Sequence, residues 1–130
     1  MRILIAEDDM VSSLAVSRLL EKNGRRIHVA RDGEEALGAL RAMDFDLVLM
    51  DVQMPVVDGV EATKRIRSGE AGWSKANIPI IAMTAYTMAG DREKFLLAGM
   101  NDYIAKPVVA ADVEAVMARV MENKPVENQP

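Results

Sequence analysis

Asp46-Leu47-Val48-Leu49-Met50-Asp51 decides the fold. The run is too short for a stable helix, is bounded by acids and reads as a buried strand ending in a carboxylate. Two turn signals follow at once, Val52-Gln53-Met54-Pro55 and Asp58-Gly59. Three other apolar runs also end in polar or charged side chains, at Glu7-Asp8-Asp9, Thr84 and Lys106. In an open α/β sheet, ligands and chemistry gather beyond the carboxyl ends of the strands.

Working outward from Asp51, strand-type runs alternate with helix-type segments five times. Ile3 to Ala6 is the first strand. A helix from Asp9 to about Lys22 follows, with Val11, Leu14, Ala15 and Leu19 expected on its apolar face. Asn23-Gly24 is a plausible stop, because glycine accepts the left-handed conformation at a helix end. Ile27 to Ala30 forms a weaker second strand. Asp32 and Glu35, then Asp58 and Glu61, have capping-box spacing and open two further helices. Ser68 to Asn77 is a looser stretch. Ile78 to Met83 leads into Thr84 as the fourth strand. A helix around Ala89 to Ala98 stops at Gly99, and Tyr103 to Ala105 is a short fifth strand. In the last helix, Val113, Val116, Met117 and Val120 fall at i, i+3, i+4 and i+7.

This alternation implies a parallel sheet with helices on both faces and right-handed crossovers. The expected architecture is a doubly wound, five-stranded sheet in the order 2-1-3-4-5. Strands one and three then meet at the switch point, which groups Glu7, Asp8 and Asp51. One domain over residues 1–122 accounts for these elements. Residues 123–130, polar and with two prolines, read as a tail or linker.

Composition excludes several classes. With 50% hydrophobic and 28% charged residues, the chain reads as globular. The net charge of −4 and the lack of a basic patch argue against direct nucleic-acid binding. Cysteine is absent, so disulfide and thiol chemistry are excluded. No run reaches the roughly 18–20 apolar residues of a membrane span. The first apolar run is broken by Glu7-Asp8-Asp9, unlike a signal peptide, so a cytoplasmic location without membrane insertion is expected.

Carboxylates meeting at one sheet end carry a definite cost. At about 4 Å and an effective dielectric near 20, each like-charged pair costs about 4 kcal/mol, against a domain stability of roughly 5–15 kcal/mol. Such a cluster needs a cation, and hard oxygen donors suit Mg²⁺. Lys106 supplies a second positive charge. A metal, a lysine and a hydroxyl around one carboxylate make a phosphoryl-transfer site, with Asp51 as nucleophile and Thr84 as hydrogen-bond partner.

From Arg2 to about Val120 the chain resembles the receiver domain of two-component response regulators. The segments that carry the likeness are Ile3 to Asp9, Asp46 to Pro55 with Asp58-Gly59, Met83-Thr84-Ala85, and Asp102 to Pro107. Residues Ile80 to Val108 are similar to receivers attached to hybrid sensor kinases, and single-domain regulators fit as well. The resemblance implies a flavodoxin-like fold and phosphorelay signalling. Asp51 would accept a phosphoryl group from a sensor histidine kinase or histidine phosphotransfer domain. Asp8 and Asp51 would ligate Mg²⁺ directly, with the Gln53 backbone carbonyl, and Glu7 would act mainly through bound water. Thr84 and Lys106 would contact the phosphoryl group, and Thr84 with Tyr103 would form the switch. The Lys106-Pro107 bond would be cis. The implied activity is that of a phosphoacceptor, with Mg²⁺-dependent self-phosphorylation and slow autodephosphorylation, rather than of a turnover enzyme. The downstream partner is not written in the chain.

Plainer readings stand beside these. Asp9 reads as a helix cap, and Tyr103 as a residue packing on the sheet. His28, the only histidine, lies in the edge strand and not on a helix, so the phosphoryl group must come from elsewhere. Trp73 reads as cover for its loop. The ten methionines read as core filler. A haloacid-dehalogenase-type phosphatase would need an acid where Gln53 stands. A flavodoxin-type cofactor carrier would need a first loop that welcomes phosphate, not Glu7-Asp8-Asp9.

Overall fold

The computed structural model describes residues 1–85 and 90–122. Its elements run β1 (Arg2–Ala6), α1 (Met10–Glu21), β2 (Arg26–Ala30), α2 (Gly33–Ala42), β3 (Leu47–Asp51), α3 (Gly59–Arg67), a single 3₁₀ turn (Trp73–Lys75), β4 (Ile80–Thr84), α4 (Asp91–Ala98), β5 (Asp102–Ala105) and α5 (Ala110–Glu122). The five strands are all parallel and ordered β2-β1-β3-β4-β5. This is the doubly wound arrangement that the strand–helix alternation predicts. Ala89, expected in the fourth helix, and the 123–130 tail lie outside the described residues. Among the described residues no helix is long and apolar enough to cross a membrane.

The pleat divides the core in two. Leu4, Ala6, Val48, Met50, Ile80 and Ala82 face α2, α3 and α4. Ile3, Ile5, Leu47, Leu49, Ile81 and Met83 face α1 and α5. Successive residues of a strand point to opposite faces, so strands covered on both sides are apolar throughout. Every residue of β3 is buried, and each large aliphatic side chain so buried contributes about 1.5–3 kcal/mol. Helix α5 buries Val113, Val116, Met117 and Val120, the stripe read from its period.

Helix α1 differs from expectation. Ser13, Val16, Ser17 and Leu20 face the sheet, while Val11 is 77% exposed and Leu14 half exposed. Small serines allow the helix close to the strands. The Ser13 hydroxyl donates to the Met10 carbonyl at 3.0 Å, which removes much of the cost of burying it. The apolar residues Met10, Val11 and Leu14 consequently form an outward strip. Trp73 covers Gly69 with its indole but is 75% exposed, so it shields far less than a loop cover should.

The turn after β3 is strained. Val56 has φ of +67°, and the Val57 N–H donates to the Pro55 carbonyl at 2.8 Å, closing a γ-turn around it. A β-branched residue at positive φ is a true outlier. The Gly33 N–H, at the start of α2, donates to the Val57 carbonyl at 2.9 Å and holds the turn in place. Val56 is 81% exposed and has little packing to lose. Val56→Asn should therefore stabilise the fold by about 1 kcal/mol and raise Tm by about 3 °C. A thermal melt showing an unchanged or lower Tm would rule out strain at this position.

Candidate functional site

Parallel β1 and β3 run side by side, with Ala6 registered against Met50, so both chains end at the same edge of the sheet. Glu7 and Asp8 follow β1, and Asp51 closes β3. One carboxylate oxygen from each of Glu7, Asp8 and Asp51 lies within 4.8 Å of the others. Glu7 and Asp51 are only 2% and 4% exposed, whereas Asp8 is open to solvent. Gly59 explains why Asp58-Gly59 follows. A Cβ there would stand 2.1 Å from the Asp51 carbonyl oxygen, so only glycine lets α3 begin against the strand end.

The fourth and fifth strands complete the site. Thr84 pairs with Ala105 across β4 and β5, which sets Lys106 beside the acids. Lys106 Nζ donates to Glu7 Oε1 at 2.7 Å and lies 3.1 Å from Asp51 Oδ2. The Gln53 N–H donates to Asp51 Oδ1 at 3.2 Å. Glu7, Asp8, Asp9, Asp51, Val52, Gln53, Thr84, Ala85 and Lys106 line one cavity of about 220 Å³. The Lys106–Pro107 peptide is cis. Asp9 caps α1, accepting from the Val11 N–H at 3.3 Å and the Ser12 hydroxyl at 2.7 Å.

Tyr103 stands apart from this cavity. It registers against Ala82, two residues before Thr84 on the neighbouring strand, and its ring lies 6.4 Å from that of Phe95 on α4. With Arg92, Asp102 and Arg119 it lines a separate cleft between α4 and α5. Two features escaped the sequence reading. One is the place of Ala85 in the cavity wall, since the motif Met83-Thr84-Ala85 assigns a site role to Thr84 alone. The other is an apolar hollow of about 250 Å³ beside Lys106, where Val11, Ala15, Pro107 and Val108 converge from distant segments.

Charge balance at the site is uneven. Burial, together with the neighbouring Asp51, raises the Glu7 pKa above its ordinary value, although Lys106 pulls the other way. Burial alone would lower Lys106, but its bond to Glu7 and the Asp51 charge more than compensate and raise it. Among the described residues no second cation pairs with either buried acid. Three hard oxygen donors around a shortfall of positive charge fit a small divalent ion such as Mg²⁺.

With this geometry established, the family model for the response regulator receiver domain matches residues 3–118. The chain belongs to this family. Receiver segments of larger proteins are its relatives. Hybrid signal transduction histidine kinase I of Dictyostelium discoideum is 43% identical over 82% of the chain, which spans 6% of that protein. Sensor protein GacS of Pseudomonas syringae pv. syringae is 39% identical over 91% of the chain and 13% of that protein. The crystal structure of a sensor histidine kinase receiver domain from Pseudomonas aeruginosa PAO1 superposes with a TM-score of 0.83. It is 37% identical, the match covers 94% of this chain and 98% of that one, and it holds a magnesium ion in its active-site cleft.

The raised Glu7 pKa has a stability consequence. A carboxyl with a raised folded-state pKa contributes stability below its unfolded value, here near 4.5, and that contribution is lost as pH rises through the folded value. Lys106, also raised, keeps its contribution until the alkaline range. In metal-free buffer the urea midpoint should fall as pH rises from 4.5 through the raised folded-state value of Glu7. Glu7→Gln should flatten that slope, and Mg²⁺ should offset it in the wild type. A wild-type midpoint independent of pH would show that Glu7 carries no such cost.

Proposed function

We propose that this receiver accepts a phosphoryl group on Asp51 from the phosphohistidine of a sensor kinase or histidine phosphotransfer domain. The observation that carries the reading is the Lys106 ammonium group set between Glu7 and Asp51 over a buried acceptor oxygen. An Asp51 oxygen attacks phosphorus and the O–P bond forms as the P–N bond to the donor imidazole breaks. The electron pair leaves on the imidazole nitrogen, which takes up a proton.

The residues divide the work. Lys106 moves its hydrogen bond from Glu7 toward the new phosphoryl oxygens, and the Thr84 hydroxyl donates to another. Glu7, Asp8, Asp51 and the Gln53 carbonyl hold Mg²⁺, with Glu7 acting mainly through water. Bound there, Mg²⁺ supplies charge neutralisation for the transferred oxygens. Gln53 cannot serve as a general acid, so hydrolysis of the product stays slow and the domain acts as a switch rather than a turnover catalyst. The added charge of about −1.5 to −2 biases Thr84 and, through β5, Tyr103.

Donor access follows from the surface. The apolar strip of Met10, Val11 and Leu14 adjoins the hollow beside Lys106, so a donor helix seated on α1 reaches the cavity mouth.

Incubation with a small acyl phosphate and Mg²⁺ should add one phosphoryl group by intact mass. The label should be sensitive to hydroxylamine, as an acyl phosphate is, and absent with EDTA. Asp51→Asn should take up none. A mutant labelled as fully as wild type would overturn the assignment.

A further inference from the structure

Two openings border the acid cavity, and their linings differ in kind. The hollow of about 250 Å³ beside Lys106 is largely apolar, with Val11, Ala15, Pro107 and Val108 in its wall. The other is a groove of about 610 Å³ toward α4. It shares Asp8, Val52 and Gln53 with the acid cavity and so adjoins it directly. The rest of its lining comes from the turn after β3, from Asp58 and Val60 at the start of α3, and from Lys94 of α4.

Lys94 is the charge in this groove that the fold leaves uncommitted. It is exposed, and it makes no ion pair among the described residues. No other described cation lines the groove. The two acids in the wall have other work. Asp8 belongs to the three-acid cluster. Asp58 is the N-cap of α3, and its Oδ1 accepts from the Glu61 N–H at 2.8 Å, so its charge is turned toward the positive end of that helix. An anion small enough to enter therefore meets a free ammonium group beside the acceptor site.

In phosphoryl transfer the attacking and leaving atoms stand roughly in line, so the leaving group sits on the far side of phosphorus from Asp51. A cavity of about 220 Å³ holds the phosphoryl group, and the leaving group needs room outside it. A donor helix brings apolar surface and suits the hollow beside Lys106. A small acyl phosphate brings none, and what it releases is a carboxylate. We propose that the groove is the leaving-group subsite for small acyl phosphates, with Lys94 pairing with the departing carboxylate. The new O–P bond forms on Asp51 as the bond from phosphorus to the acyl oxygen breaks. The electron pair stays on that oxygen, and the carboxylate leaves without needing a proton. The domain then has separate entrances for protein and small-molecule donors. This rests on the phosphoacceptor reading and adds a donor-specificity residue outside the acid cluster.

Initial labelling rates of the whole chain in Mg²⁺, read by intact mass, test the subsite with two donors. Acetyl phosphate releases a carboxylate, whereas phosphoramidate releases neutral ammonia. Lys94→Gln should lower the ratio of the first rate to the second by about three- to fivefold, the size of a partly exposed ion pair. Lys94→Glu should lower it by about tenfold or more, since repulsion replaces attraction. Lys94→Arg should stay within about twofold of wild type. Added salt should bring the wild-type ratio toward that of Lys94→Gln. Beryllofluoride, a phosphoryl mimic with no leaving group, should bind wild type and Lys94→Gln alike by calorimetry, which separates the subsite from a fold defect. An unchanged ratio in Lys94→Gln overturns the subsite, whether both rates hold or both fall. Wild type that takes label from neither donor on Asp51 overturns the phosphoacceptor reading and the subsite together.

Discussion

Two carboxylates that are almost entirely buried share one ammonium group, and the rest of the structure follows from that shortage of positive charge. Glu7 and Asp51 cannot both be ionised in a dry strand end without compensation. Lys106 spans them at 2.7 and 3.1 Å, and among the described residues the solvent-exposed Asp8, a third donor, has no ion-pair partner. A parallel sheet makes the arrangement possible. It brings three strand ends to one edge and keeps water from their sides, so that the charges act at low dielectric. The fold places the acids, and the acids require a cation.

The sequence showed the sheet plainly because strands buried on both faces have a simple signature. The runs at Ile3, Leu47 and Ile80 are apolar without alternation, and each ends in the side chain that the site uses. Asp8, Asp51, Thr84 and Lys106 could be grouped before any coordinate was known, since strand order alone fixes their proximity. Helix α1 departs from its apolar pattern for a reason of scale. Val11 and Leu14 are the more hydrophobic residues, yet contact with a sheet rewards a surface that approaches closely. Ser13 and Ser17 supply it, with the Ser13 hydroxyl satisfied inside the helix.

The roles of the long basic side chains were the least legible. Arg67 and Lys75 look like ordinary charges on a helix end and a loop. In the folded chain Arg67 solvates three carbonyls and an amide, and Lys75 Nζ donates to the carbonyls of Leu40 and Met43 at the end of α2. Such contacts join segments 9 to 35 residues apart. They depend on where a chain end happens to point, which no local pattern encodes.

Trp73 gives this arrangement a practical side. The only tryptophan in the chain stacks on Gly69, in the loop that precedes β4, and so lies at the opposite edge of the sheet from Asp51. A strand of five residues separates that edge from Thr84, roughly 17 Å of extended backbone. The carbonyls of Ala76 and Ile78, just beyond the indole, are fastened to Arg67. The intrinsic fluorophore is thus mounted at the end of the sheet far from the acceptor. Its emission reports whether the domain is folded, and an optical signal for the acceptor is better introduced close to Asp51.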